Sequence, residues 1–278
     1  MHTLNKQNKR PTHPRVLTIA GSDSGGGAGI QADIKTLSSL GCYAMSAITA
    51  LTAQNTTGVM GIHPVPAPFI AEQISAVLTD IGADAVKIGM LYSAQIIETV
   101  ARSLQTYNPK NIVLDPVMVA QSGDRLSGDE TIRAIEEHLL PLADILTPNI
   151  PEAELLLNRT LKGQQEIRQG AKALAEYGSR NILIKGGHSG ENDSSDLLYS
   201  VAGDRFVTLA GERIRTRNDH GTGCTLSSAI AGYLARGHDI QEAVEKAKSY
   251  IGHAIRAGAG YTIGGGHGPV HHFFDYWS

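Results

Sequence analysis

The segment Asp219-His220-Gly221-Thr222-Gly223-Cys224-Thr225 sets a glycine turn directly ahead of a helical pattern, with a thiol in the first helical turn. Leu226, Ile230 and Leu234 recur every four residues, and Ala229, Ala231 and Ala235 are strong helix formers, which predicts a helix over 222–236. The first N–H groups of a helix have no intrahelical partner, so those of Gly221 to Cys224 should point outward and form an anion site. The same field favours the Cys224 thiolate and lowers its pKa from about 8.5, which would make the sulfur a nucleophile or a base. A tight turn around a small buried cysteine accounts for the same residues without chemistry.

A second glycine turn, Gly21-Ser-Asp-Ser-Gly-Gly-Gly-Ala-Gly29, follows a short apolar run. Gly27-Ala-Gly29-Ile-Gln-Ala32 satisfies a relaxed dinucleotide fingerprint, but that motif needs an acidic residue about 20 positions on, and 43–57 contain neither Asp nor Glu. No Walker A sequence occurs either. Asp23, at a strand's carboxyl end and followed by glycines that let a ligand approach, suits a hydrogen-bond acceptor for a small substrate. The alternative is a helix N-cap or an Asx turn.

The elements that must hold these turns alternate along the chain. Apolar runs at Val16–Ala20, Ala44–Leu51, Ala85–Ile88, Ile112–Asp115, Ile145–Leu146 and Ile182–Lys185 are interleaved with helical patterns at 30–40, 69–78, 94–104, 131–140, 152–157 and 166–177. Such alternation predicts an α/β fold, a mostly parallel sheet with helices on both faces and ligands at the strands' carboxyl ends. Leu197–Ser200 and Arg205–Thr208 flank Ala202-Gly203-Asp204 and predict an antiparallel edge hairpin. Helices over 222–236 and 240–257 close the chain. Residues 1–14 are polar and read as a flexible tail, and 15–278 as a single domain.

With 278 residues and 41% hydrophobic content, the chain can bury a sizeable core. A net charge of -3, with no strong basic block, excludes nucleic acid as the expected partner and leaves small molecules. Only Cys42 and Cys224 are present, which disfavours a disulfide framework or a zinc site and fits a reduced cytoplasm. No run approaches a membrane span.

Taken in order, Ala20-Gly-Ser-Asp23, Gly26-Gly-Ala-Gly-Ile-Gln-Ala-Asp33, Thr147-Pro-Asn-Ile-Pro-Glu152, Lys185-Gly-Gly-His188 and His220-Gly-Thr-Gly-Cys224 resemble the ribokinase-like superfamily. Within it, the chain resembles the bacterial hydroxymethylpyrimidine/phosphomethylpyrimidine kinases of thiamine biosynthesis, from about Val16 to the Gly268-Pro-Val-His-His-Phe273 end. The resemblance implies a cytoplasmic, ATP-dependent and Mg²⁺-dependent kinase acting on an aminopyrimidine, and a homodimer. It assigns catalysis to Gly221, Thr222, Gly223 and Cys224, and the acceptor pocket to Gly21, Asp23, Gln54, Met90 and Val117. Lys185, Asp115 and Asn149 would meet the nucleotide, and Glu152 with Asn149 would hold Mg²⁺ partly through water.

Each assignment has a plain structural counterpart. Glu152 suits a helix first turn, Gln54 a surface loop, and Met90 and Val117 ordinary core. A lysine ending a buried strand, as Lys185 does, suits a phosphate contact better than core, because an unpaired buried ammonium is costly. The Gln54 carboxamide can pair with an exocyclic amine and a ring nitrogen together. That separates the aminopyrimidine reading from a pyridoxal or pyridoxine kinase, whose nearest members tend to carry an apolar residue there. A non-catalytic nucleotide-binding protein on the same fold is the other alternative. Sugar kinases of the superfamily usually place Asp where Cys224 stands. Two departures from the family pattern bear on phosphate affinity: Ser24-Gly25 in the first turn, and Gln121 in Val119-Ala-Gln121-Ser-Gly-Asp124.

Overall fold

A computed structural model describes residues 12–118, 128–186 and 194–277. The first apolar run becomes β1 (Arg15–Asp23), in which Val16 through Ala20 are buried whichever way they point. Burial on both sides of a strand requires cover on both faces of its sheet, and the helices supply it. Val16 packs in a cluster with Leu226, Ile230 and Val244, whereas its neighbour Leu17 packs in another with Ile70, Ile74 and Ile97.

The chain continues through α1 (Gly29–Ser39), β2 (Tyr43–Asn55), β3 (Gly58–Pro64), α2 (Ala67–Asp80), β4 (Ala85–Ile88), α3 (Ala94–Tyr107) and β5 (Ile112–Leu114). Next come α4 (Asp129–Ala134), extended by a π-helical turn and a 3₁₀ turn, β6 (Ile145–Leu146), α5 (Ile150–Leu157), α6 (Gly163–Ala175) and β7 (Asn181–Ile184). The hairpin β8 (Asp196–Ser200) and β9 (Arg205–Leu209) precedes α7 (Thr222–Ala235) and α8 (Ile240–Gly258). The nine described strands form one sheet in the order β3-β2-β1-β4-β5-β6-β7-β8-β9. From β2 to β7 every pairing is parallel, so the carboxyl ends of six strands share one edge. The pairs β2–β3, β7–β8 and β8–β9 are antiparallel.

The predicted alternation and edge hairpin are present. Strand β3 is absent from the sequence reading, and β2 runs four residues beyond its predicted end. Every residue of β3 is exposed, so Gly58–Pro64 carries no period-2 burial signal. It is held by the ladder to β2 and by a tight Asn55–Gly58 reversal in which Asn55 Oδ1 accepts from Thr57 N–H at 2.8 Å.

Candidate active site

Asp115 follows β5 and Lys185 follows β7, so both project from the shared carboxyl edge. Lys185 Nζ donates to Asp115 Oδ1 at 2.8 Å and lies 3.9 Å from Glu152 Oε2. Thr147 Oγ1 and Ser227 Oγ approach the Asp115 oxygens at 3.4 and 3.1 Å. Burial would raise the Asp115 carboxyl, but Lys185 and then Lys87 outweigh it and hold the group below the usual carboxylate range. The same pairings raise the Lys185 ammonium against its burial, so it stays charged.

The first turn of α7 faces this pair. A Cβ on Gly223 would sit 3.4 Å from Lys185 Nζ and 3.7 Å from Asp115 Oδ2. Thr222 N–H turns back to the Asp219 carbonyl at 3.2 Å and Thr225 N–H bonds to that of Gly221 at 2.8 Å. Among the described residues, that leaves the Gly221, Gly223 and Cys224 amides as the donors this helix start offers to an anion. The turn therefore offers three of the four expected N–H groups.

Asn149 and Glu152 form a reciprocal capping box at the start of α5, each side chain accepting the other's backbone N–H at 2.8 Å. Burial pushes the Glu152 carboxyl up to about 7; Lys185 opposes that rise and Asp115 adds to it. The oxygen that accepts the Asn149 N–H, Oε2, is also the one that faces Lys185. Helix capping and metal binding are thus compatible uses of the same two residues.

Asp23 behaves differently from its expected part as a substrate acceptor. It is only 3% exposed, and its oxygens accept from the N–H groups of Gly25, Gly27 and Ala28 at 2.8, 3.1 and 2.8 Å. His220 Nε2 adds a fourth contact at 2.9 Å. This saturated carboxylate is the centre of its own turn, and its role is to tie that turn to the one before α7. Gln54 lies near the end of β2, its carboxamide flanked by Thr52 Oγ1 at 3.1 Å and His220 Nε2 at 3.4 Å. Met90 stands against Gly21, where an added Cβ would lie 2.7 Å from Met90 Cε. Val117 N–H bonds to the Asp115 carbonyl at 2.9 Å, beside the charged pair.

The expected thiolate is not supported. Burial pushes the Cys224 thiol up to about 11, Lys87 lowering it only in part while Asp33 and Asp115 add to the rise. A helix-end field acts on the sulfur, but so do two carboxylates that local sequence does not place beside it. Lys87 itself went unnoticed within the apolar run of β4. It is fully buried, with Nζ 2.9 Å from both Asp33 oxygens, and Thr18 and Ser228 complete the cluster at 2.6 and 2.7 Å. A lysine in a short buried strand demands a buried carboxylate, which is the signal that could have revealed it.

The C-terminal segment, which carries no site role in the sequence reading, also contributes. It fastens the site from outside: His220 N–H donates to the Gly268 carbonyl at 3.0 Å and His267 N–H to that of Thr56 at 2.9 Å. Gly266 must be glycine because a Cβ there would overlap the Thr56 carbonyl. The departure at Gln121 and the motif residue His188 lie outside the described residues. Among the described residues, no three His, Cys, Asp or Glu side chains form a metal cluster.

The profile of a family described as phosphomethylpyrimidine kinase matches residues 23–271. A thiamine biosynthesis bifunctional protein of Geobacter sulfurreducens is 50% identical over 95% of this chain, which spans 54% of that protein's length. A hydroxymethylpyrimidine/phosphomethylpyrimidine kinase of Rhizobium meliloti is 49% identical over 94% of this chain and 98% of its own. Among solved structures, a Bacillus subtilis pyridoxal kinase in complex with ADP superposes with a TM-score of 0.87 at 36% identity, covering 94% of this chain and 98% of that one.

Proposed function

The chain belongs to the phosphomethylpyrimidine kinase family, and from that premise we propose that it transfers phosphate from ATP to an aminopyrimidine. The acceptor is the hydroxymethyl group of 4-amino-5-hydroxymethyl-2-methylpyrimidine, and the monophosphate is then phosphorylated to the diphosphate. The observation that carries the reading is the closeness of Gln54 to His220, 3.4 Å apart, one residue before the anion turn. On this substrate the amine and the hydroxymethyl group occupy neighbouring ring carbons. An amide that reads the amine therefore holds the acceptor oxygen beside the Gly223 and Cys224 amides. Gly21, Met90 and Val117 would wall the ring, and Asp23 acts through His220.

Phosphoryl transfer passes through a loose transition state, so placing donors around the moving group does most of the work. Lys185 and the open amides of the α7 turn would hold its oxygens. Asp115, Glu152 and Asn149 gather hard oxygen donors at the same edge, which fits Mg²⁺ held by one or two carboxylates and several waters. The ion supplies charge neutralisation across the phosphates when bound. A second copy of the chain would cover Leu51, Val59, Met60 and Ile62, exposed on β2 and β3, so sedimentation should give a dimer and a monomer would contradict this. No described helix is long and apolar enough to cross a membrane; the reaction's small polar substrates suit the cytoplasm.

The test is ADP release with three acceptors. Turnover is expected with the hydroxymethylpyrimidine and with its monophosphate, and markedly less with pyridoxal. Preference for pyridoxal would favour the reading suggested by the structural neighbour, and no acceptor-dependent ADP would leave a nucleotide-binding protein. In the same assay Asn149→Ala should need more Mg²⁺ for half-maximal rate, and an unchanged titration would remove Asn149 from the metal site.

A further inference from the structure

The ionised Asp23 carboxylate only accepts hydrogen bonds, so the His220 nitrogen 2.9 Å from it must carry a hydrogen, whether the imidazole is neutral or charged. Thr52 has one hydroxyl hydrogen, and the Ser22 carbonyl 2.8 Å away can only accept it. The same His220 nitrogen lies 3.4 Å from Gln54 and, carrying its hydrogen, has no lone pair, so toward Gln54 His220 cannot accept whereas Thr52 can. Which end of an amide is oxygen is decided by its partners. With the carbonyl toward Thr52, the amide NH₂ would meet the imidazole N–H, donor against donor. With the carbonyl toward His220 and the NH₂ toward Thr52, the NH₂ finds an acceptor and the carbonyl shares the imidazole hydrogen with Asp23.

We propose that Asp23 and His220 are a positioning pair that locks the Gln54 carboxamide in this second orientation and makes the site choose an aminopyrimidine edge over its oxo counterpart. The inference rests on the reading of Gln54 as the residue that meets the ring. In the locked orientation one amide hydrogen goes to Thr52 and one oxygen lone pair to His220. One lone pair and one hydrogen remain, in fixed order, for the exocyclic amine and the ring nitrogen. Rotating the amide by half a turn reverses that order and suits a ring whose exocyclic oxygen accepts and whose ring N–H donates. A glutamine free to rotate would serve both rings.

The readout is the ratio of kcat/KM for the hydroxymethylpyrimidine to that for its 4-oxo analogue, a quantity that general loosening of the turn leaves alone. His220→Ala should lower this ratio by about tenfold or more, because an unlocked amide satisfies either ring. The near-isosteric Thr52→Val removes the other partner and should lower it in the same direction, so the test stands even if the histidine variant fails to fold. Gln54→Met should abolish the preference. An unchanged ratio in folded His220→Ala and Thr52→Val, with the preference lost in Gln54→Met, overturns the positioning role alone. A preference intact in Gln54→Met overturns it together with the reading of Gln54 beneath it.

Discussion

Gly221→Ala is expected to lower kcat by about 10²–10³-fold, the size of effect seen when a preorganised donor is lost from a site of developing charge. Gly221 has φ +80°, and a Cβ there would overlap the Gly27 carbonyl oxygen while lying 3.3 Å from Ala28 Cα. The two glycine turns are thus packed backbone to backbone. Any side chain at 221 drives the α7 turn away from the Asp23 turn, and the Gly223 and Cys224 amides move with it. A displacement of about 1 Å can by itself cost about 10²-fold. Gly237→Ala is the control, because Gly237 shares the left-handed backbone at φ +90° but has no atom within 4 Å of the added Cβ. It should pay only the backbone penalty, about 1–2 kcal/mol of stability, with kcat retained. Similar kcat values for the two variants would mean that close packing of the turns is irrelevant to catalysis.

Lys185→Met should impair both folding and turnover. The ammonium sits between Asp115 at 2.8 Å and Glu152 at 3.9 Å, and both carboxylates are buried. Removing one partner of a buried pair typically costs about 3–5 kcal/mol, because the remaining charge is uncompensated. The cost should depend on pH in a defined sense. With Lys185 present, Asp115 titrates below its unfolded value, so its contribution is present above the unfolded pKa and lost as pH falls. Glu152, already pushed up to about 7 by burial, loses the opposition of Lys185 in the variant, so stability is lost further as pH rises through that value. Melting curves should therefore show a larger deficit for the variant at pH 8 than at pH 5. An equal deficit at both would show that Lys185 does not support the ionised Glu152. Turnover should fall by about 10²–10³-fold as the positive contact to phosphate disappears.

Helix α7 was legible because four-residue spacing and a glycine turn are local signals. So were the strand ends bearing Asp115 and Lys185, since a charge closing an apolar run marks the sheet's functional edge. Asp23 shows the limit. Its type and position suited a ligand acceptor, yet the decisive partner, His220, lies 197 residues away and is brought to it by β1 and α7. Cys224 shows the same limit in electrostatics. The helix start favours a thiolate, but the burial and the Asp33 and Asp115 charges that reverse the sign come from other elements. Lys87 was hidden because three apolar neighbours masked it, and β3 because an edge strand exposed along its whole length has no face to alternate.

In the proposed reaction, positioned backbone donors and Lys185, rather than the Cys224 thiol, would drive transfer. The most direct test is kcat of Cys224→Ser with the hydroxymethylpyrimidine at saturating ATP and Mg²⁺, in protein whose melting temperature matches the parent. Retention of kcat within about tenfold is the predicted result, less than a positioned general base ordinarily contributes. A loss of about 10²–10⁴-fold in the folded variant would make the sulfur the catalytic base and contradict the account.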